Sequence, residues 1–310
     1  MSLWWVQKNQ LDIHQLELIE KLPLQESWLI VGPPGSGKTN VLLRRAQFVR
    51  TQDMPNVLVL TFTRALVEFV KTGCYDAENR EIFPEALVTT IESWIRWLYA
   101  QHEEQLPPAE NDLNIWKQRL AAGALPFQRR GRVPKYDALF IDEAQDLLPE
   151  EVALLAQWSS VLFVVGDDRQ RIFAGLDGLP EVRKIILASH EKALPFHYRI
   201  APEICRMADR IFVPTAGKSL ASTEHYQGPS PATIDIQERP LGKTEQMDLM
   251  AAKLKDQIRV YADLLKAGDK LGIIVARRDD RDVVFRHLEA DPDLVGRSKV
   301  IRARDEGEQG

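Results

Sequence analysis

Gly32-Pro33-Pro34-Gly35-Ser36-Gly37-Lys38-Thr39 decides how the rest of this chain is read. The stretch matches G-x-x-x-x-G-K-[ST], a loop whose backbone amides cradle nucleotide phosphates. Before it, Trp28-Leu29-Ile30-Val31 is a short apolar run that reads as a buried strand. After it, Thr39–Arg50 reads as a helix with Val41, Leu42 and Ala46 on its apolar stripe. The glycines permit the bend that turns successive N–H groups toward an anion. The helix start adds the positive end of its dipole. A plain Gly-rich turn is the competing reading, and the strand–loop–helix order weighs against it. With a nucleotide in the loop, residues Gly32, Pro33, Pro34, Gly35, Ser36 and Gly37 surround the phosphates. Lys38 then reaches the β- and γ-phosphates, and the Thr39 hydroxyl ligates Mg²⁺.

The 310 residues suffice for one large or two ordinary domains. An apolar content of 45% with 27% charged residues suits a globular chain. No apolar run approaches the roughly 18 residues needed to span a bilayer, so no membrane partner is expected. The start, Met1-Ser2-Leu3-Trp4-Trp5-Val6-Gln7-Lys8, lacks the pattern of a secretory signal. Cys74 and Cys205 are far apart and lack metal spacing, so they read as reduced packing thiols. Together these features imply a cytoplasmic protein. The net charge of −5 means that any nucleic-acid contact must come from a local basic patch.

Strand-like and helix-like segments alternate along the chain. Asn56–Thr61, Leu87–Thr90, Ala138–Ile141 and Val161–Val165 are further apolar strand candidates, and Arg64–Thr72 and Ile91–Ala100 are helix-like. Such runs predict an α/β fold with a parallel sheet and helices on both faces. Periodicity weakens between residues 101 and 135, where Pro107, Pro108, Pro126 and Pro134 occur, and this stretch reads as an insertion off the sheet. A first domain is expected over 1–212. Residues 213–310 read as a smaller, incomplete second α/β unit, with strands at Ala232–Ile236 and Leu271–Val275 and helices at Thr244–Lys266 and Asp279–Ala290. The polar tail Asp305–Gly310 reads as frayed.

Leu139-Phe140-Ile141-Asp142-Glu143-Ala144-Gln145-Asp146 puts carboxylates at the C-terminal end of a buried strand, the edge where open parallel sheets bind ligands. Asp142 there can hold Mg²⁺ opposite Thr39. Glu143 is then placed to orient and deprotonate an attacking water. Acidic residues after a strand also serve as simple helix-start signals. The phosphate loop about a hundred residues upstream favours the catalytic reading.

Asp142-Glu143-Ala144-Gln145-Asp146 resembles the DExQD box of UvrD/Rep-type superfamily-one helicases. Gly166-Asp167-Asp168-Arg169-Gln170-Arg171-Ile172-Phe173 resembles that family's G-D-x-x-Q-x-I-(Y/F) segment. The resemblance implies that the first domain is a RecA-like P-loop ATPase and that Gln170 senses the γ-phosphate. Leu60-Thr61-Phe62-Thr63-Arg64 is similar to the T-F-T-N-K segment that touches single-stranded DNA, and Thr89–Trp94 stands where the next DNA-contact segment falls. By resemblance, then, Thr61, Phe62, Thr63, Arg64, Thr90 and Trp94 face DNA. His197-Tyr198-Arg199 is similar to N-Y-R, whose arginine approaches the γ-phosphate, so Arg199 is a candidate arginine finger. Leu11–Gln15 is similar to the segment whose glutamine reads adenine, which assigns Gln15 to the base. The matches cover about residues 10–200.

The departures are equally specific. Where the family places a base-stacking tryptophan, this chain has Ala174-Gly175-Leu176-Asp177. No H-S-x-K-G-x-E-like or A-L-T-R-A-like segment occurs in the 310 residues, and Val300–Arg304 is too weak to replace them. The missing part of the second lobe is expected on further chain, on a protein partner, or to have been lost.

These features predict an ATP-dependent DNA helicase or translocase motor that uses ATP and Mg²⁺, with single-stranded DNA as partner and 3′ to 5′ movement implied by the resemblance. The alternative is a nucleotide-binding regulatory or partner-binding module without helicase activity. Phe62 and Trp94 are candidates both for stacking on bases and for the core. Gln128–Lys135 is the sharpest basic cluster, either a solvated loop or a strand guide. Trp94, Trp97 and Trp116 are expected to pack the insertion on the main lobe, while Trp4 and Trp5 have no assignment.

Overall fold

Alternation along each strand explains why this sheet has two cores. The computed structural model describes residues 5, 8–170, 176–211, 218–228, 232–266, 270–298 and 300. The helices of the first part are α1 (Ile13–Glu20), α2 (Lys38–Arg50), α3 (Arg64–Thr72), α4 (Ile91–Gln101), α5 (Leu113–Ala124), α6 (Pro149–Trp158), α7 (Leu179–Ile185) and α8 (Pro202–Ile211). The strands are β1 (Trp28–Val31), β2 (Val57–Thr61), β3 (Val88–Thr90), β4 (Ala138–Ile141), β5 (Leu162–Gly166) and β6 (Glu191–Ala193). They form one parallel sheet in the order β3-β2-β4-β5-β1-β6.

Successive side chains of a strand point to opposite faces. Leu29, Leu60, Leu139, Ile141 and Val164 therefore pack on one face with α4, α5, α6 and α7. Ile30, Val57, Val59, Phe140 and Val165 pack on the other with α1, α2 and α3. With both faces covered, the central strands are continuous apolar runs, as a parallel sheet requires. β6 was not foreseen. Its sequence Glu191-Lys192-Ala193 is polar because it is an edge strand, paired only with β1 among the strands.

Residues 101–135 contribute no strand, as expected, yet they are not peripheral. Trp116, Leu120, Ala121, Ala124 and Phe127 join the core beneath α4 and α6. Trp94 and Trp116 pack there, whereas Trp97 is 42% exposed. Trp5 stacks on Phe69 at 5.0 Å and donates from Nε1 to Thr72 Oγ1 at 2.8 Å. Trp4 lies outside the described residues. Cys74 and Cys205 are buried free thiols, and burial pushes Cys74 up to about 12.

The chain separates into compact units 1–234 and 235–310, where the sequence suggested a division at 212. Residues beyond 212 remain with the first unit because the His197 amide donates to Thr223 O, the His225 amide donates to His197 O, and Asp209 accepts from the amides of Leu220 and Ala221. The second unit holds α9 (Lys243–Val260), α10 (Ala262–Lys266) and α11 (Arg278–Ala290) around Ala251, Val284, Leu288 and Leu294. The helices expected there form. The strands expected at Ala232–Ile236 and Leu271–Val275 do not: neither run pairs with another strand among the described residues, and Ile236 and Ile274 are exposed. An apolar run becomes a strand only where other strands accept its backbone hydrogen bonds. Residues 301–310, including the tail and most of Val300–Arg304, lie outside the described residues. Among the described residues, no helix is long and apolar enough to cross a membrane.

Candidate functional site

The loop Gly32–Gly37 leaves β1 at the sheet's C-terminal edge and ends on α2. Gly35 and Gly37 have φ of +78° and +85°, the left-handed region that glycine enters without cost. A Cβ at Gly37 would stand 2.7 Å from Gln15 Nε2, and one at Gly35 would stand 2.8 Å from Arg199 Cβ. Ser36 Oγ is buried and has no hydrogen-bond partner. The Lys38 ammonium turns back on the loop, donating to Gly32 O at 2.9 Å and Pro33 O at 3.2 Å, with Asp167 Oδ2 at 3.7 Å. Pro33 and Pro34 sit half-buried in the same bend.

β4 delivers the carboxylates to the same edge. Thr39 Oγ1 donates to Asp142 Oδ2 at 2.9 Å, joining two residues 103 positions apart. Asp142 is fully buried. Burial first, and the neighbouring Glu143 second, raise its pKa well above the usual carboxylate range, while the Thr39 hydroxyl and Lys38 oppose them. Glu143 has φ +53°, an uncommon conformation for a non-glycine residue and a frequent mark of functional positions. Gln145 Nε2 donates to Glu143 Oε2 at 2.6 Å, and Gln145 Oε1 accepts from the Asp167 amide at 3.0 Å. Gln145 thus ties the end of β4 to the end of β5, a link that its place inside the DExQD match could have suggested. Burial also raises Asp167, with Lys38 as the chief opposing charge.

Two other segments close on the loop. Gln15 is buried, completes a capping box with Asp12, and donates from Nε2 to Ser36 O at 3.0 Å. Tyr198 donates its amide to Gly35 O and its hydroxyl to Asp12 Oδ2. The adjacent Arg199 is exposed beside Gly35, and its guanidinium feels partial desolvation, opposed by the charge of Glu143. The Gln170 amide donates to Asp167 O at 3.3 Å. Arg171, Ile172, Phe173, Ala174 and Gly175 lie outside the described residues. Gln15, Lys38, Thr39, Asp142, Glu143, Gln170 and Arg199 are therefore grouped around one loop and the ends of β4 and β5.

The strand-contact segments behave differently. Phe62 is half-buried against the core, and Thr63 and Arg64 are exposed. Thr61 is buried and donates to Thr63 O. Thr90 is buried as the N-cap of α4, accepting from the Ser93 amide. Trp94 corrects the expectation of a base platform. It is 3% exposed, its Nε1 donates to Tyr136 Oη at 3.2 Å, and its ring meets Trp158 edge-on at 6.0 Å. No base reaches a ring enclosed in this way. The basic loop is also less basic than its sequence: Arg130 pairs with Glu104 and Arg132 with Glu103.

The loop chemistry fits a nucleoside triphosphate, because the buried Ser36 hydroxyl lacks a partner and the left-handed Gly35 and Gly37 shape a bend that suits an anion. The half-buried Thr39 and the buried Asp142 offer hard oxygen donors suited to Mg²⁺. Among the described residues no group of three His, Cys, Asp or Glu could hold a metal alone, so such an ion would complete its shell with nucleotide and water.

Fold and loop together define a P-loop nucleotide-binding protein of the α/β class. Residues 15–176, more than half of the chain, match the AAA domain family, and the chain belongs to that family. No curated protein matches. Among solved structures, the chain is similar to one described as the structural basis for DNA unwinding at forked double-stranded DNA by two coordinating Pif1 helicases. The identity is 15% and the TM-score 0.36, over 65% of this chain and 48% of that one. This chain therefore spans about half the length of that structure.

Proposed function

We propose that this chain is an ATP-dependent DNA helicase or translocase-type motor that hydrolyses ATP with Mg²⁺ in step with binding of single-stranded DNA. The observation that carries the reading is the direct bond between Thr39 and Asp142 beside Lys38, with Glu143 next in sequence. Strand ends β1, β4 and β5 are adjacent in the sheet, so the phosphate loop and the carboxylates share one edge. Phosphoryl transfer asks mainly for positioning and neutralised charge. Mg²⁺, when bound, supplies part of that neutralisation, and Thr39 and Asp142 are the residues to hold it. Lys38 would leave the carbonyls of Gly32 and Pro33 for the phosphates. Glu143, steadied by Gln145, would take the proton of the attacking water. Gln170 would report the γ-phosphate and Arg199 would add positive charge across Gly35. Gln15 would read the base. Thr63, Arg64 and Phe62 are the accessible part of the strand-contact segment, and Thr61 and Thr90 support it from beneath.

We further assign the first unit as the RecA-like motor lobe, the second as the start of a partner lobe, and a UvrD/Rep-type relationship. Two buried thiols suit a reducing cytoplasm. The test is ATP turnover with and without oligo-dT. Stimulation that disappears in Lys38→Ala supports the motor, whereas nucleotide binding with turnover indifferent to DNA rejects it. A second reading, a nucleotide-dependent binding module, draws on the small helical core of residues 235–310. Unwinding of a tailed duplex by the 310-residue chain would exclude it.

A further inference from the structure

Lys117 lies on α5, inside the stretch that the sequence presents only as an insertion. Its Nζ stands 4.5 Å from the centroid of the Phe62 ring. Neighbouring cations are engaged elsewhere. Arg96 bonds Glu92 at 2.7 Å and lies over Trp116, and Arg119 pairs with Glu110. Lys117 also faces acid: burial raises both Asp146 and Glu151, and Lys117 is a cation that pulls each of them back. The same ammonium that lies over the Phe62 ring is thus within electrostatic reach of Asp146 and Glu151.

This placement matters for a polyanion. A phosphate backbone brought to Phe62 comes near the Lys117 ammonium, which is attractive to it and offsets whatever charge Asp146 carries. The lysine stem is flexible and its charge compact, so the ammonium can move from ring to phosphate while α5 stays fixed. The fixed side of that arrangement is well built, since Gln118 donates to Glu150 Oε1 at 2.7 Å and Trp116 and Leu120 are buried. The basic loop at 128–135 offers no equivalent, because Arg130 and Arg132 already face Glu104 and Glu103.

We propose that Lys117 belongs to the single-strand-binding surface, covering the Phe62 ring in the free protein and pairing with a backbone phosphate when a base takes that ring. The proposal rests on the strand-binding reading above and adds to it a contact from the helical insertion. It is tested by fluorescence anisotropy of labelled oligo-dT on the full chain at a series of salt concentrations, with Lys117→Ala, Lys117→Met and Lys117→Arg. Lys117→Met keeps most of the apolar stem, and a thermal melt of each variant verifies folding. Loss of one phosphate contact on a single strand lowers the slope of log affinity against log salt by about 0.7. That slope change, with affinity about fivefold weaker at low salt, is expected for Lys117→Ala and Lys117→Met but not for Lys117→Arg. Wild-type affinity and slope in both uncharged variants, beside weakened binding in Phe62→Ala, would overturn the role of Lys117. Failure of the wild-type chain to bind oligo-dT with or without ATP would instead remove the strand-binding reading and this proposal with it.

Discussion

The nucleotide end and the strand end of the first unit were matched to the same family in the same way, yet they differ in kind. At the nucleotide end, residues 32–39 and 142–143 lie at the open edge of the sheet, and the polar atoms that would do chemistry converge. At the strand end, half of the matched residues turn inward. Thr61 and Thr90 bond their own backbone, and Trp94 is walled in by Trp158 and Tyr136. A motif of glycines, one lysine and one hydroxyl has few structural uses besides its chemistry. An aromatic or threonine motif serves core and cap equally well, so only burial separates the roles.

The largest effect that could break this contrast concerns turnover. Lys38→Ala should abolish ATP hydrolysis, and Glu143→Gln should slow it by about 10²–10⁴-fold, the usual worth of a positioned base. Phosphate release measures both, and wild-type turnover in Glu143→Gln would leave the nucleotide end without its base. Next comes Trp94. Its truncation to alanine should cost about 3–5 kcal/mol in denaturant titrations. The milder Trp94→Phe should leave oligo-dT affinity unchanged, and a folded Trp94→Phe that binds tenfold more weakly would return the ring to the strand surface.

A third effect is pH-dependent stability. Burial raises Glu151 to about 7, with the Leu148 amide and Lys117 opposing. Between its ordinary value near 4.5 and about 7, the folded state keeps a proton that the unfolded state has released. Stability is therefore greatest below that window, falls as pH rises through it, and levels off above. The loss is on the order of 3 kcal/mol for this group. Glu151→Gln should flatten the dependence in denaturation at pH 5 and pH 8, and an unchanged slope would mean that Glu151 is not the source. Smallest is Phe62→Ala, expected to weaken oligo-dT binding by about 1–3 kcal/mol. Anisotropy checks this, and a loss confined to stability would assign Phe62 to the core alone.

Much of the first unit was legible in its sequence. Continuous apolar runs at 57–61, 138–141 and 162–166 announce strands covered on both faces, and α3 and α4 follow from their periodicity. β6 escaped because an edge strand need not be apolar. The strands expected at 232–236 and 271–275 failed for the opposite reason, since hydrophobicity without pairing partners does not make a sheet. Within the site, Lys38, Thr39, Asp142 and Glu143 could be named from spacing. Gln145 as the tie between β4 and β5 is hinted at only by its place inside the DExQD match, and Lys117 over Phe62 could not be named, because it depends on a contact between distant segments.

By itself, the sequence determined the loop that bends around phosphate, the alternation that covers the sheet on both faces, and the acidic end of β4. These are local properties, set by glycine's backbone freedom and by the period of apolar side chains. Tertiary structure alone decided which aromatic rings face solvent, which arginines are already paired, and which lysine stands beside Phe62. Exposure and charge pairing are relations between residues far apart in the chain, and only packing brings them to one place.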